Sequence, residues 1–246
     1  MHRFHLRPEH WDSATLDEEE SHHCLHVLRL TEGDRMTIFD GAGREAQAVI
    51  TSTAGSKAKL KIGSSSTTPP PPCEITLAQA IPKGKNMDLI VQKAVELGAA
   101  RIIPLLSDRT VVQIEAGEIP RKRDKWNAIA LEACKQCGQN HLPEVAAPIT
   151  LRAYAEKMDQ SDLLLIASLQ SDARPLKAVL AEHGRIPKRV TVFVGPEGDF
   201  TPAEIALAKS HGCQPVTLGP IILRTETAAI YCLSVLAHEL FNSRPA

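Results

Sequence analysis

From Glu74 to the end of the chain, short apolar runs rich in β-branched residues alternate with longer stretches whose apolar positions recur at helical spacing. That alternation restricts the fold to an open α/β sheet with mostly parallel strands, because each parallel return needs a crossover long enough to hold a helix. EITLAQA at 74–80 reads as the first strand, and the helix after it carries Met87, Ile90, Val91, Ala94 and Leu97 on one face. Gly98 then stops it, as a left-handed cap would. RIIPLL at 101–106 returns as a strand, and Trp126, Ile129, Ala130, Ala133 and Cys137 mark one face of a long helix ended by Gly138. DLLLIAS at 162–168 and RVTVFV at 189–194 have the unbroken apolar character of strands covered on both faces. Thr201-Pro202-Ala203-Glu204 has the form of a capping box with proline at the first helical position, so a helix begins there. VTL at 216–218 is the last strand, and the last helix runs from Thr227 to about Phe241.

Upstream, SSSTTPPPP at 64–72 predicts a stiff linker, since four prolines continue neither a helix nor an inner strand. Two domains follow, at 1–68 and 73–246. In the first, HRFHL, DRMTIFD, REAQAVITS and KAKLKIG read as strands of a small β-barrel, with a hairpin turn at 40–43 and a helix over 17–29.

Several functions are excluded early. A formal net charge of -1 is too small for a histone-like polyanion binder, so any nucleic-acid contact must be a local patch. The opening MHRFHLRPEHWD lacks the apolar centre of a secretory signal and no apolar run approaches the ~20 residues of a membrane span, which predicts a cytosolic protein without membrane contact. The six cysteines are then reduced thiols, with Cys134 and Cys137 packing inside a helix rather than forming a redox pair. His22, His23 and His26 have no carboxylate or cysteine at ligand spacing, so no metal is expected.

Two strand-to-helix loops carry the chemistry. Gly195-Pro196-Glu197-Gly198-Asp199-Phe200 leaves the strand RVTVFV, and Leu218 to Thr227, LGPIILRTET, leaves the final strand. Ligands of open α/β sheets bind beyond the carboxyl ends of the strands, and glycine there lets backbone come close to them. Apolar residues in the second loop predict a pocket lining. Neither loop is a phosphate-binding sequence, having no GxxxxGK followed by Ser or Thr and no GxGxxG. The other reading is that both are only tight turns, with Glu226 favouring a helix N-terminus.

At these residues the chain resembles the RsmE family, the 16S ribosomal RNA uridine-N3 methyltransferases of the SPOUT (trefoil-knot) superfamily. The likeness spans the chain: MHRF, His26-Val27-Leu28-Arg29 with Gly33-Asp34, Phe39-Asp40-Gly41, Lys83-Gly84, QKAVELG at 92–98, GPEG at 195–198 and ILRTETA at 222–228. It implies a SPOUT-type sheet with a C-terminal trefoil knot, an N-terminal PUA-like RNA-binding barrel, S-adenosylmethionine as cofactor, small-subunit ribosomal RNA as substrate and a homodimer. Expected cofactor contacts are Gly195, Pro196, Glu197, Gly198, Leu218, Gly219, Ile222, Leu223, Thr225, Thr227 and Ala228. Arg224 is the expected catalytic group, supplying fixed positive charge to a developing uracil anion, or else it pairs with Glu226 or Glu197. Glu197 either accepts a proton or bonds neighbouring loop amides. RNA contacts are expected from Arg3, Arg29, Arg35, Lys83, Lys85 and Arg109, with the basic run at 121–125.

Two positions depart from the family pattern: Asp199 stands where another Gly is usual, and Gln139 where Arg is frequent. The Asp199 side chain either narrows the loop or faces solvent. Rival readings are a non-catalytic RNA-binding or assembly factor and a SPOUT methyltransferase acting on transfer RNA. Cofactor binding separates the first, and methyl incorporation into different RNAs the second.

Overall fold

The structure, a computed structural model, describes residues 2–110, 112, 114–157 and 161–241. Two units are distinguished, Met1–Pro70 with Leu131–Leu142, and Pro71–Ala130 with Pro143–Ala246.

In the first unit, β1 (Arg3–His5), β2 (Arg35–Phe39), β3 (Arg44–Ser52) and β4 (Lys59–Thr67) form a sheet in that order. β1 runs parallel to β2, and the other two pairs are antiparallel. The β2–β3 hairpin closes because Asp40 Oδ1 accepts the amides of Ala42 at 2.7 Å and Arg44 at 3.0 Å, an Asx-type turn. Asp17 caps α1 (Glu18–His22) by accepting the Glu20 amide at 2.9 Å, and the chain continues as a π turn over His23–Val27. The expected helix over 17–29 is therefore shorter and irregular. Phe4, Leu6, Trp11, Leu16, Met36, Ile38 and Ile50 are buried in one core.

The expected linker over 64–72 is shortened at its front. Ser65, Ser66 and Thr67 pair with Ala46, Glu45 and Arg44, so they belong to β4. Ser and Thr tolerate an exposed edge strand, whereas the prolines that follow have no amide to donate.

The second unit contains β5 (Glu74–Ala80), α2 (Asn86–Glu96), β6 (Arg101–Leu106), α3 (Ile119–Cys137), β7 (Glu144–Val145), β8 (Ile149–Thr150) and α4 (Leu151–Lys157). It continues with β9 (Leu163–Ala167), β10 (Arg174–Pro175), α5 (Leu176–His183), β11 (Arg189–Val194), α6 (Pro202–Ser210), β12 (Gln214–Thr217) and α7 (Thr225–Phe241). The end of α3 falls in the segment grouped with the first unit. Strand order is β10-β12-β9-β11-β5-β6-β7, with β8 also beside β6, and every pair is parallel. The open parallel sheet expected from the alternation is the one observed.

From β5 the chain builds one half of the sheet through β6 to β7, then starts the other half at β9 and inserts β11 between β9 and β5. The carboxyl ends of β12, β9 and β11 consequently lie side by side near the reversal in strand order, where open α/β sheets hold ligands. Glycine matters at the end of α2. Gly98 has φ +80°, and a Cβ there would come within 2.6 Å of Phe241 on α7.

All six cysteines are free thiols. Burial pushes Cys73, Cys134, Cys213 and Cys232 up to about 12 and Cys24 to about 11, which keeps them protonated and poorly nucleophilic. Among the described residues no helix is long and apolar enough to cross a membrane.

Candidate active site

The glycine loop leaves β11 at Gly195 and enters α6 through the expected capping box: Thr201 Oγ1 accepts the Glu204 amide at 3.2 Å, and Glu204 Oε2 accepts the Thr201 amide at 2.9 Å. Phe200, fully buried, anchors the loop from below. The backbone folds back so closely that a Cβ at Gly195 would stand 3.1 Å from the Phe200 nitrogen and 3.3 Å from the Asp199 Cα. Glycine is favoured there by the close backbone contact, and at Gly198 by a φ of +89°.

Three consecutive residues of this loop are held by three different neighbours. Glu197 Oε1 accepts the Lys83 amide at 3.2 Å. The Gly198 carbonyl accepts the Arg109 guanidinium. Asp199 Oδ2 accepts the Leu169 amide at 2.9 Å, and its Oδ1 the Phe200 amide at 2.7 Å. The Asp199 carboxylate therefore turns inward onto backbone.

The second loop leaves β12 at Thr217. Gly219 takes φ +129°, and Ile221 and Ile222 are 70% and 78% exposed. Only where the loop enters α7 is it pinned by a buried side chain: Thr225 Oγ1 donates to the Gly195 carbonyl at 2.6 Å and accepts from Gln79 Nε2 at 3.0 Å. Gln79, near the carboxyl end of β5 and paired with Val194, is fully buried.

The two loops meet in a pocket of about 300 Å³. Of the expected cofactor contacts, Gly195, Pro196, Glu197, Gly198, Leu218, Gly219, Ile222, Leu223, Thr225 and Ala228 all line it, together with Arg224. Thr227 does not; it lines an adjoining groove along α7 that shares Thr217, Leu218 and Gly219 with the pocket. On a helix that starts at Thr225, residues 225 and 228 share a face while 227 is turned away from it. A third wall was missed from sequence: Ala167, Ser168 and Leu169, at the end of β9. Only the reversed strand order, which sets β9 between β11 and β12, reveals it.

Arg224 is exposed at the pocket. The carboxylates proposed as its partners have other contacts, Glu197 with the Lys83 amide and Glu226 with Asn86 Nδ2 at 3.4 Å.

Arg3, expected as an RNA contact, is largely enclosed. Its side chain is 14% exposed, its two terminal guanidinium nitrogens bond Glu45 at 3.1 Å and Asn140 at 2.7 Å, and it stacks 4.8 Å over Phe39, so both of those nitrogens are engaged within its own unit. Arg109 is exposed but braces Gly198. In the basic run, Arg121 pairs with Glu118, Arg123 with Asp124 and Lys125 with Asp88. Arg29, Arg35, Lys83 and Lys85 are exposed. Gln139 Oε1 accepts the His141 amide at 3.2 Å.

Comparison with known proteins agrees with this geometry. Residues 69–237 match the RNA methyltransferase domain family, and 16–63 the RNA methyltransferase PUA domain family. The ribosomal RNA small subunit methyltransferase E of Synechocystis is 33% identical over 90% of this chain and 72% of its own length, and that of Bacillus subtilis 32% over 90% and 88%. The crystal structure of the Neisseria gonorrhoeae enzyme of that name, bound to S-adenosylmethionine, is 34% identical with a TM-score of 0.85, covering 97% of this chain and 98% of that one. A Legionella pneumophila structure with the same cofactor bound has the same identity and TM-score over 96% and 97%. Both family models, relatives more than 30% identical over nine-tenths of this chain and a fold shared along nearly its whole length agree: the chain belongs to the ribosomal RNA small subunit methyltransferase E family.

Proposed function

We propose that this protein transfers a methyl group from S-adenosylmethionine to N3 of a uridine in 16S ribosomal RNA of the small subunit. The observation that carries this reading is the convergence of the glycine loop and the apolar loop on one pocket, beside Arg224.

The residues present fit an adenosyl group. Leu218, Leu223, Ala167 and Ala228 give apolar walls for a purine, while the loop backbones at Gly195 and Gly219 offer polar groups unobstructed by side chains. When bound, the cofactor supplies a methyl group already activated on a sulfonium. The protein's tasks are then alignment and exposure of the nucleophile. Uracil N3 reacts only as its proton leaves, and the Arg224 guanidinium stabilises the negative charge that develops on the base. Glu197, bonded to the Lys83 amide, shapes the loop, and water takes the proton.

We take 1–68 as the RNA-binding domain and 73–246 as the methyltransferase domain. Arg29 and Arg35 in the first, with Lys83 and Lys85 in the second, contact RNA phosphate, so binding weakens as salt is added. The C-terminal knot follows the path from β12 to α7, which packs on β5, β11 and α2. The protein acts in the cytoplasm as a homodimer, for which the part-exposed Tyr231 in the α7 groove offers an apolar surface.

Calorimetry with S-adenosylmethionine tests the pocket, and mass spectrometry of ribosomal RNA from a strain lacking the gene tests the product. Loss of one 3-methyluridine from 16S RNA is expected. Label transferred to transfer RNA instead, or no cofactor binding, overturns the assignment.

A further inference from the structure

Leu169 is 60% exposed, so packing does not fix this part of the β9 loop, although it forms one wall of the pocket. Its amide is held instead by Asp199, from a loop thirty residues further along the chain. The other carboxylate oxygen takes the Phe200 amide, at the entry to α6. Asp199 makes both bonds from a left-handed backbone with φ +68°, a conformation that Asp adopts more readily than most residues with a side chain because its carboxylate can bond neighbouring backbone. Of the three ties on the glycine loop, this one alone joins two walls of the pocket through a charged side chain, and bonds to a carboxylate are stronger than neutral ones.

We propose that Asp199 is a positioning residue, clamping the β9 loop to the glycine loop so that two walls of the pocket stand in their binding arrangement before any ligand arrives. The proposal rests on reading the pocket as the cofactor site. A wall already ordered loses less freedom on binding, so the clamp should be read out in affinity.

The test compares wild type with Asp199→Gly, which accepts the same φ without strain, and Asp199→Asn, which keeps one acceptor oxygen. Three quantities are measured: affinity for S-adenosylmethionine by calorimetry, hydrogen exchange of the Leu169 amide in ligand-free protein, and Tm. The glycine variant should bind about tenfold more weakly and exchange the Leu169 amide about tenfold faster, with Tm within about 3 °C of wild type; the asparagine variant should fall between. Cofactor affinity within about twofold of wild type in the glycine variant, or unchanged Leu169 exchange, overturns the proposal. If the glycine variant does not fold, the asparagine variant decides on the same two readouts. Wild type that fails to bind the cofactor sinks the cofactor reading, whereas Leu169 exchange reports on the clamp without any ligand.

Discussion

The two loops that form the pocket are built in opposite ways. The glycine loop is tied at Glu197, Gly198 and Asp199 to three neighbouring segments and lies on a fully buried Phe200. The apolar loop is pinned where it enters α7, by Thr225, and between its ends Ile221 and Ile222 stand in solvent. One wall is therefore finished before binding, while the other carries apolar surface that a ligand can cover.

The largest effect should come from Gly195→Ala, because the added Cβ stands 3.1 Å from the Phe200 backbone nitrogen and the ties on the loop resist the shift that would relieve it. Cofactor affinity should fall about 100-fold, or roughly 2.8 kcal/mol, and a loss below about fivefold in calorimetry would mean that the loop yields more easily than its bonds imply.

Next in size is Thr225→Val, which leaves both the Gly195 carbonyl and the buried Gln79 amide without this partner. Urea denaturation should register a loss of about 1–3 kcal/mol. Wild-type stability in this variant would show that the two loops are joined by packing alone.

Arg224→Lys keeps the charge but removes the planar fork. Methyl transfer should slow by about tenfold with cofactor affinity within about threefold, as for an interaction made in the transition state; equal turnover would take Arg224 out of the mechanism.

Ile222→Ser should be the mildest for stability, within about 0.5 kcal/mol in thermal or urea melts, since the side chain is 78% exposed. Its cost should appear in cofactor affinity. A variant that loses stability instead would place Ile222 with the rigid half of the pocket.

Periodicity and capping were enough to place β5, β6, β9, β11, β12 and the start of α6, because those signals are local, whereas the two-residue strands β7, β8 and β10 are too short to show a period. The two loops were legible because their signals are local too. The third wall at Ser168 and Leu169 was not, since SLQSDA reads as an ordinary polar turn and its place depends on β9 lying between strands made later. Asp199 was visible as a departure from the family pattern. Its task was hidden, because its partner Leu169 is distant in sequence. The last helix was expected from Thr227 but begins at Thr225, which turns Thr227 toward the α7 groove. Arg3 looked like a surface charge until Glu45 and Asn140 were seen to enclose it.

The position of β11 has a bearing on biosynthesis. It occupies the slot between β5 and β9, yet it is translated after both of them. A nascent polypeptide halted before Arg189 exposes two strand edges that are meant to share one partner, and unpaired edges invite association with other chains. Completion of the sheet's centre is thus postponed until late in translation, and the segments that bear both ligand loops emerge only then.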